Sequence, residues 1–134
     1  MRIFLDANVL FSASNATSSI AQLISQIQTE HELVTSDVAL EEARRNILAK
    51  RSKWKQAFTE LSKSMIVVPT RTMKLPVKLV DKDAPILSSA IKSQCDYFVT
   101  GDKKHFGHLY GQVVEGVEVV SLIRIAEILF DPDR

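Results

Sequence analysis

Cysteine occurs once in the chain, at Cys95, so no disulfide can form within it. Glycine is nearly as scarce: Gly101, Gly107, Gly111 and Gly116 all lie in the last third. The first apolar run, Ile3-Phe4-Leu5, is therefore not followed by the glycine-rich turn that cradles a dinucleotide. No apolar stretch approaches the roughly 20 residues of a membrane-spanning helix. Asp6 interrupts the amino-terminal run too early for a secretory leader. A lone thiol without an export signal makes a reducing cytoplasm the expected compartment. His31, His105 and His108 are not spaced as zinc ligands. Repeats, low-complexity blocks and flexible linkers are missing as well.

What is present is an ordinary globular composition over 134 residues, 46% hydrophobic and 25% charged. A chain of this size buries about two-thirds of its unfolded surface without staples. One domain covering residues 1–134 is expected. The formal net charge of +1 conceals an asymmetry. Between Ala43 and Val80 stand ten basic residues and a single acid, Glu60, a local balance of +9. The remainder carries 7 basic and 15 acidic residues, a balance of −8. Such a split suits a chain that holds a polyanion on one surface and a cation on another; a solvated basic helix face is the plainer reading.

Short β-type runs alternate with helical periodicity. Strands are predicted over Arg2–Leu5, Glu32–Thr35, Met65–Val68, Tyr97–Thr100 and Val117–Val120. Helices are predicted over Thr17–Gln28, from a Ser36 or Asp37 cap to about Ala49, from Ser52, from about Asp83 to Ser93, and from Ser121 to about Phe130. On the second of these Leu40, Ala43, Ile47 and Leu48 form the expected inner face. Thr70–Val80 reads as irregular, and 101–106 as a loop or short helix. Repeated βα units with short apolar strands imply an α/β fold whose parallel sheet is covered on both faces.

Ligands of such sheets sit beyond the carboxyl ends of the strands. The first strand delivers Asp6, with Asn8 two residues on; the fourth ends at Thr100 and delivers Asp102. If these two strands are neighbours, Asp6 and Asp102 share one crevice and repel unless a cation separates them. Asp83 lies on the inward side of its helix, three and four residues before Ile86 and Leu87. The helix after the second strand adds Glu41 or Glu42. Glu41 has Arg45 at i+4 as a surface partner, whereas Glu42 has Asn46 there, which favours Glu42. Four carboxylates helped by Asn8, Ser36 and Thr100 make a hard-oxygen site suited to Mg²⁺ or Mn²⁺. Hard divalent ions with open positions are what phosphodiester hydrolysis needs. Arg44, Arg45 and Arg51, with Lys103 and His105 beside Asp102, are candidates for substrate contact.

The residues that carry this pattern also carry a resemblance. Ile3-Phe4-Leu5-Asp6-Ala7-Asn8-Val9-Leu10, Thr35-Ser36 with Glu42 six residues after the serine, Asp83-Ala84-Pro85-Ile86-Leu87, and Tyr97-Phe98-Val99-Thr100-Gly101-Asp102 with His105-Phe106 stand in order along residues 3 to 106. The chain resembles the PIN domain, especially the small single-domain prokaryotic type that includes VapC-like toxins. The resemblance implies a three-layer α/β/α sandwich with a central parallel sheet of about five strands, order 3-2-1-4-5. It implies a Mg²⁺- or Mn²⁺-dependent endoribonuclease that cuts RNA through a metal-activated water, with the acidic quartet at Asp6, Glu42, Asp83 and Asp102. Homodimers, and an antitoxin protein that blocks the site, come with it. Two positions depart from a clean match: the Glu41-Glu42 doublet, and Asp81, which competes with Asp83.

Other classes fit less well. A haloacid-dehalogenase-type phosphatase needs a second Asp two residues after the nucleophile, where this chain has Asn8. A receiver domain needs an Asp at the end of the third strand, where Val68-Pro69-Thr70 stands. The remaining alternative is a catalytically silent PIN-like module that binds RNA or protein, and retained metal binding without cleavage would mark it.

Overall fold

The computed structural model describes residues 1–131. Its centre is one six-stranded sheet: β1 (Arg2–Leu5), β2 (Glu32–Ser36), β3 (Ile66–Val68), β4 (Tyr97–Val99), β5 (Val113–Val114) and β6 (Val117–Val120), in the order β3-β2-β1-β4-β6-β5. All pairings are parallel except β5 with β6. The helices that flank the sheet are α1 (Ala7–Ala13), α2 (Ser19–Gln28), α3 (Asp37–Lys50), α4 (Lys55–Lys63), α5 (Ala84–Lys92), α6 (Lys103–Phe106) and α7 (Leu122–Phe130). This is the expected α/β/α sandwich, with two differences. A sixth strand, β5, extends the sheet beyond the predicted five. It is joined to β6 by Glu115 and Gly116, both at positive φ (50° and 89°), as a two-residue hairpin turn requires. The helix α1, absent from the predicted elements, starts immediately after Asp6.

The central strands are buried on both faces, as their continuous apolar sequences demand. Ile3, Phe4 and Leu5 of β1 and Phe98 and Val99 of β4 have no exposed surface. The Phe4 and Phe98 rings stack at 5.4 Å, and Phe106 tilts against Phe98 at 5.0 Å. This trio fastens β1, β4 and α6 into one unit, worth about 1 kcal/mol per ring pair beyond the area buried.

Ser36 ends β2 and caps α3, its hydroxyl accepting from the Ala39 amide at 3.2 Å. Ala39, Ala43 and Ile47 form the buried stripe of α3. The predicted inner position of Leu48 is wrong: that side chain is exposed, because the stripe runs through i+4 steps from Ala39 and leaves residue 48 on the outer flank. Trp54 sits in a 3₁₀ turn before α4 and packs on Phe11 at 5.3 Å, while Phe58 is buried. Asp96, before β4, accepts from the Arg2 amide at 2.9 Å and belongs to the opposite end of the sheet from the acids below.

Ser36→Ala removes the cap of α3 while adding no bulk. The expected loss is about 1 kcal/mol of stability, read as a lower urea midpoint at unchanged m-value.

Candidate metal centre

The register of β1 against β4 pairs Leu5 with Val99. The next residues on each strand, Asp6 and Thr100, therefore meet at the carboxyl edge of the sheet. The Asp6 amide donates to Val99 O at 3.0 Å, and the Thr100 hydroxyl donates to Asp6 Oδ2 at 2.8 Å. Asp6 is 4% exposed and also caps α1, with Oδ1 accepting from the Ala7 amide at 2.8 Å. Asn8, the second residue of α1, clamps the two strand ends. Its Nδ2 donates to Asp6 Oδ2 at 3.1 Å, and its Oδ1 accepts from the Gly101 amide at 2.8 Å. A Cβ on Gly101 would stand 3.3 Å from that oxygen, so the close approach favours glycine. Two further supports stand outside the predicted site residues. Thr35 donates to Leu5 O at 2.9 Å, and Tyr110 donates to Thr100 O at 2.7 Å. Thr35 was visible as a polar residue ending a buried strand; nothing near Tyr110 in the sequence points to Thr100.

Asp102 follows β4 and caps α6, its Oδ1 accepting from the His105 amide at 3.2 Å. Asp83 occupies the N-cap position of α5, yet its side chain makes no capping hydrogen bond. It turns instead toward α6. His105 Nδ1 lies 2.9 Å from Asp83 Oδ2 and 2.9 Å from Asp102 Oδ2. Neither contact has hydrogen-bond geometry, and among the described residues Asp83 Oδ2 and His105 Nδ1 are buried side-chain atoms with no hydrogen-bond partner. His105 thus stands with Asp83 and Asp102 in the acid cluster. Asp81 is exposed, so burial separates it from Asp83.

Glu42 reaches the same region from α3. It is half-buried and borders an open cleft of about 630 Å³ with Asn8, Arg45, Asn46, Ala49, Lys82 and Asp102. Lys82 Nζ stands 4.0 Å from its carboxylate. Glu41 points outward and takes a bidentate pair from Arg44, at 2.8 and 2.6 Å. The i+3 partner has displaced the expected Arg45, which leaves Arg45 to the cleft. Of the other basic candidates, Arg51 lies over the Trp54 ring at 5.6 Å and Lys103 is exposed on α6. Ser36 is fully buried and committed to its cap.

Charge crowding leaves a mark on the acids. Burial pushes Asp6 up to about 6, against the pull of the Thr100 and Ala7 hydrogen bonds, and Asp83 and Glu42 push the same way. Asp83 is raised chiefly by burial, with Asp102 and Glu42 adding to it and His105 and Lys82 opposing. Tyr110 is raised by burial and by Asp102 and Asp6, so its phenol remains a donor. The donor set of carboxylates, an imidazole nitrogen and an unpartnered buried oxygen fits a divalent cation. Asp83, Asp102 and His105 each offer an atom within 4.8 Å of the others.

No family model matches the chain, and no curated protein matches it in sequence. Solved structures do. The crystal structure of VapBC2 from Rickettsia felis bound to a DNA fragment from their promoter superposes with a TM-score of 0.64, over 90% of this chain and 98% of that one, at 13% identity. The structure of FitAB bound to an IR36 DNA fragment gives 0.57, over 89% of this chain and 94% of that one, at 16% identity. The fold is PIN-like. At these identities the likeness is one of architecture. Among the described residues no helix is long and apolar enough to cross a membrane.

Asp6 supplies a test independent of any reaction. Burial raises its carboxyl to about 6 in the folded chain, against an ordinary value of 3.8. The folded state therefore holds a proton that the unfolded state has lost, and stability falls as pH rises from about 4 to 6. Above that window ionised Asp6 costs about 3 kcal/mol at most. Asp6→Asn is expected to be at least as stable as the wild type at pH 7.5 in metal-free buffer, with a flatter stability profile between pH 4 and 6. Urea titrations across that range check it; a variant less stable by more than about 1.5 kcal/mol would make Asp6 primarily a structural acceptor.

Proposed function

We propose that the chain is an endoribonuclease dependent on Mg²⁺ or Mn²⁺, acting as the toxin of a toxin–antitoxin pair. The observation that carries this reading is the convergence of Asp6, Glu42, Asp83 and Asp102 at one edge of a PIN-like sheet, beside a cleft with cationic walls. Acids drawn together, with burial opposing the ionisation of Asp6 and Asp83, are at home around a cation. A divalent ion held by these carboxylates would supply water activation and charge stabilisation for phosphodiester hydrolysis.

The protein's own groups divide the remaining work. Thr100 and Asn8 fix the Asp6 carboxylate, so it is aimed before any ligand arrives. The Asp102 cap on α6 holds that carboxylate by one oxygen and leaves the other facing the cluster. Glu42 borders solvent and the cleft together, which suits a group that meets both the ion and the incoming strand. Arg45 and Lys82 flank the cleft and are the natural contacts for the phosphates on either side of the scissile bond. The preference for RNA, a homodimeric state and a cytoplasmic setting follow from the PIN resemblance. Two structures of like fold are the VapBC2 and FitAB complexes, each bound to DNA; by that likeness an antitoxin protein is the proposed partner.

The deciding experiment is cleavage of a mixed RNA pool by the purified chain, with Mn²⁺ or Mg²⁺ against EDTA. Metal-dependent cutting that disappears in Asp6→Asn and Asp102→Asn supports the nuclease. Metal binding without cutting of any RNA favours the silent binding module.

Two comparisons sharpen the residue roles. Glu42→Gln is expected to lower the cleavage rate by about 100-fold or more, whereas Glu41→Gln, which breaks only an exposed pair, is expected to stay within about twofold of wild type. Arg45→Glu should weaken RNA binding and reduce the slope of log K against log salt by about 1. Arg44→Glu, already outside the cleft, should change it less, and equal effects of the two would remove the cleft from the RNA path.

A further inference from the structure

His105 is the member of the acidic cluster to which the proposed reaction gives no part. It follows Asp102 by three residues, and the first turn of α6 locks the two together, since the His105 amide donates to Asp102 Oδ1. That bond occupies one carboxylate oxygen and leaves Oδ2 facing the ring. His105 Nδ1 then stands 2.9 Å from Asp102 Oδ2 and 2.9 Å from Asp83 Oδ2, without hydrogen-bond geometry to either. The Asp83 side chain is only 8% exposed and was shown above to forgo its helix cap.

A protonated imidazole would be attracted to both carboxylates but would leave the hydrogen bonds unmade. One Nδ1–H can be aimed at one carboxylate, and here it is aimed at neither. A cation shared by the three atoms resolves this arrangement. Neighbouring donors around an octahedral ion with bonds of about 2.1 Å stand about 3.0 Å apart, close to the two 2.9 Å spacings in the cluster. An unpartnered buried carboxylate oxygen and an unpartnered ring nitrogen, held at that spacing by two separate helices, have the layout of adjacent ligands.

We infer that His105 is a metal ligand through Nδ1, and that it makes the centre prefer Mn²⁺ to Mg²⁺. The inference deepens the nuclease reading by naming its ion, and it rests on the same carboxylates. Mg²⁺ takes oxygen donors and gives up water reluctantly. An imidazole nitrogen favours first-row transition ions, and replacing oxygen by nitrogen raises their affinity over that of Mg²⁺. Ligation through Nδ1 places the ring proton on Nε2. His105 also borders a shallow hollow with Lys78, Leu79, Val80, Lys104 and His108.

The test is pulsed electron paramagnetic resonance on the full chain loaded with Mn²⁺, with Mn²⁺ and Mg²⁺ affinities from titration calorimetry. Wild type is compared with His105→Asn, which offers an amide oxygen near the Nδ1 position, and with His105→Ala. Far-ultraviolet circular dichroism and urea midpoints establish that each variant is folded. Wild type is expected to show nitrogen-14 coupling to the bound Mn²⁺, replaced by nitrogen-15 coupling when histidine is nitrogen-15 labelled. Both variants should lose that coupling, and the ratio of Mn²⁺ to Mg²⁺ affinity should fall about 10-fold or more. Mn²⁺ bound to wild type without nitrogen coupling would overturn the inference and leave the nuclease standing. An unchanged affinity ratio in a folded His105→Asn would overturn it as well. Nitrogen coupling in a chain that cuts no RNA would uphold the ligand and remove the nuclease. A chain that binds no ion would overturn both.

Discussion

The Thr100 hydroxyl donates to Asp6 Oδ2 across the seam between β1 and β4, and the carboxyl edge of the sheet is organised around that bond. It forms only when β1 and β4 are parallel neighbours in the register that sets Leu5 opposite Val99. Once formed, it orients Asp6, gives Asn8 something to clamp, and fixes the point at which the chain leaves β4 toward Asp102. The buried stack of Phe4, Phe98 and Phe106 backs the same seam from within. Apolar packing therefore bears the cost of holding like charges together, and the acids contribute position rather than stability.

Much of this was legible in the sequence, for identifiable reasons. Strand ends that deliver Asp6 and Asp102 can be read from where apolar runs stop. Asp83 was legible from its spacing to Ile86 and Leu87. What escaped was decided by geometry at single positions. The helix α1 was hidden because Asp6 reads naturally as a strand end, although it is also an N-cap followed by Val9, Leu10 and Ala13 at helical spacing. The strand β5 is two residues long and exists because β6 offers it an edge. An ion pair at Glu41 was legible, but its partner was not: Arg44 at i+3, rather than Arg45 at i+4, holds Glu41 outside. The place of His105 depends on the Asp83 side chain declining its cap, which local sequence does not record.

Charge asymmetry along the chain becomes a division of labour in space, but a selective one. Of the basic residues between Ala43 and Val80, Arg45 borders the cleft, while Arg44 is engaged by Glu41 and Arg51 lies over Trp54. The second cation at the cleft, Lys82, comes from outside that basic stretch. Total charge along the chain was thus a poor guide to which cations line the cleft. The resemblance in architecture to VapBC2 and FitAB at 13% and 16% identity makes a related point. A fold can be kept while most of its side chains change.

The tie between Asp6 and Thr100 spans 94 residues. Parallel strands so far apart in sequence meet only after a large loop has closed, and that entropy must be overcome before the contact gives anything back. Asp6, Glu42, Asp83 and Asp102 come from four separate segments, so no local fragment holds the quartet. The charged edge therefore forms only with the long-range pairing of β1 and β4, never from a local fragment. A growing chain that has not yet reached Asp102 holds at most three of the four acids. The gathering of these groups is thus deferred by chain topology itself.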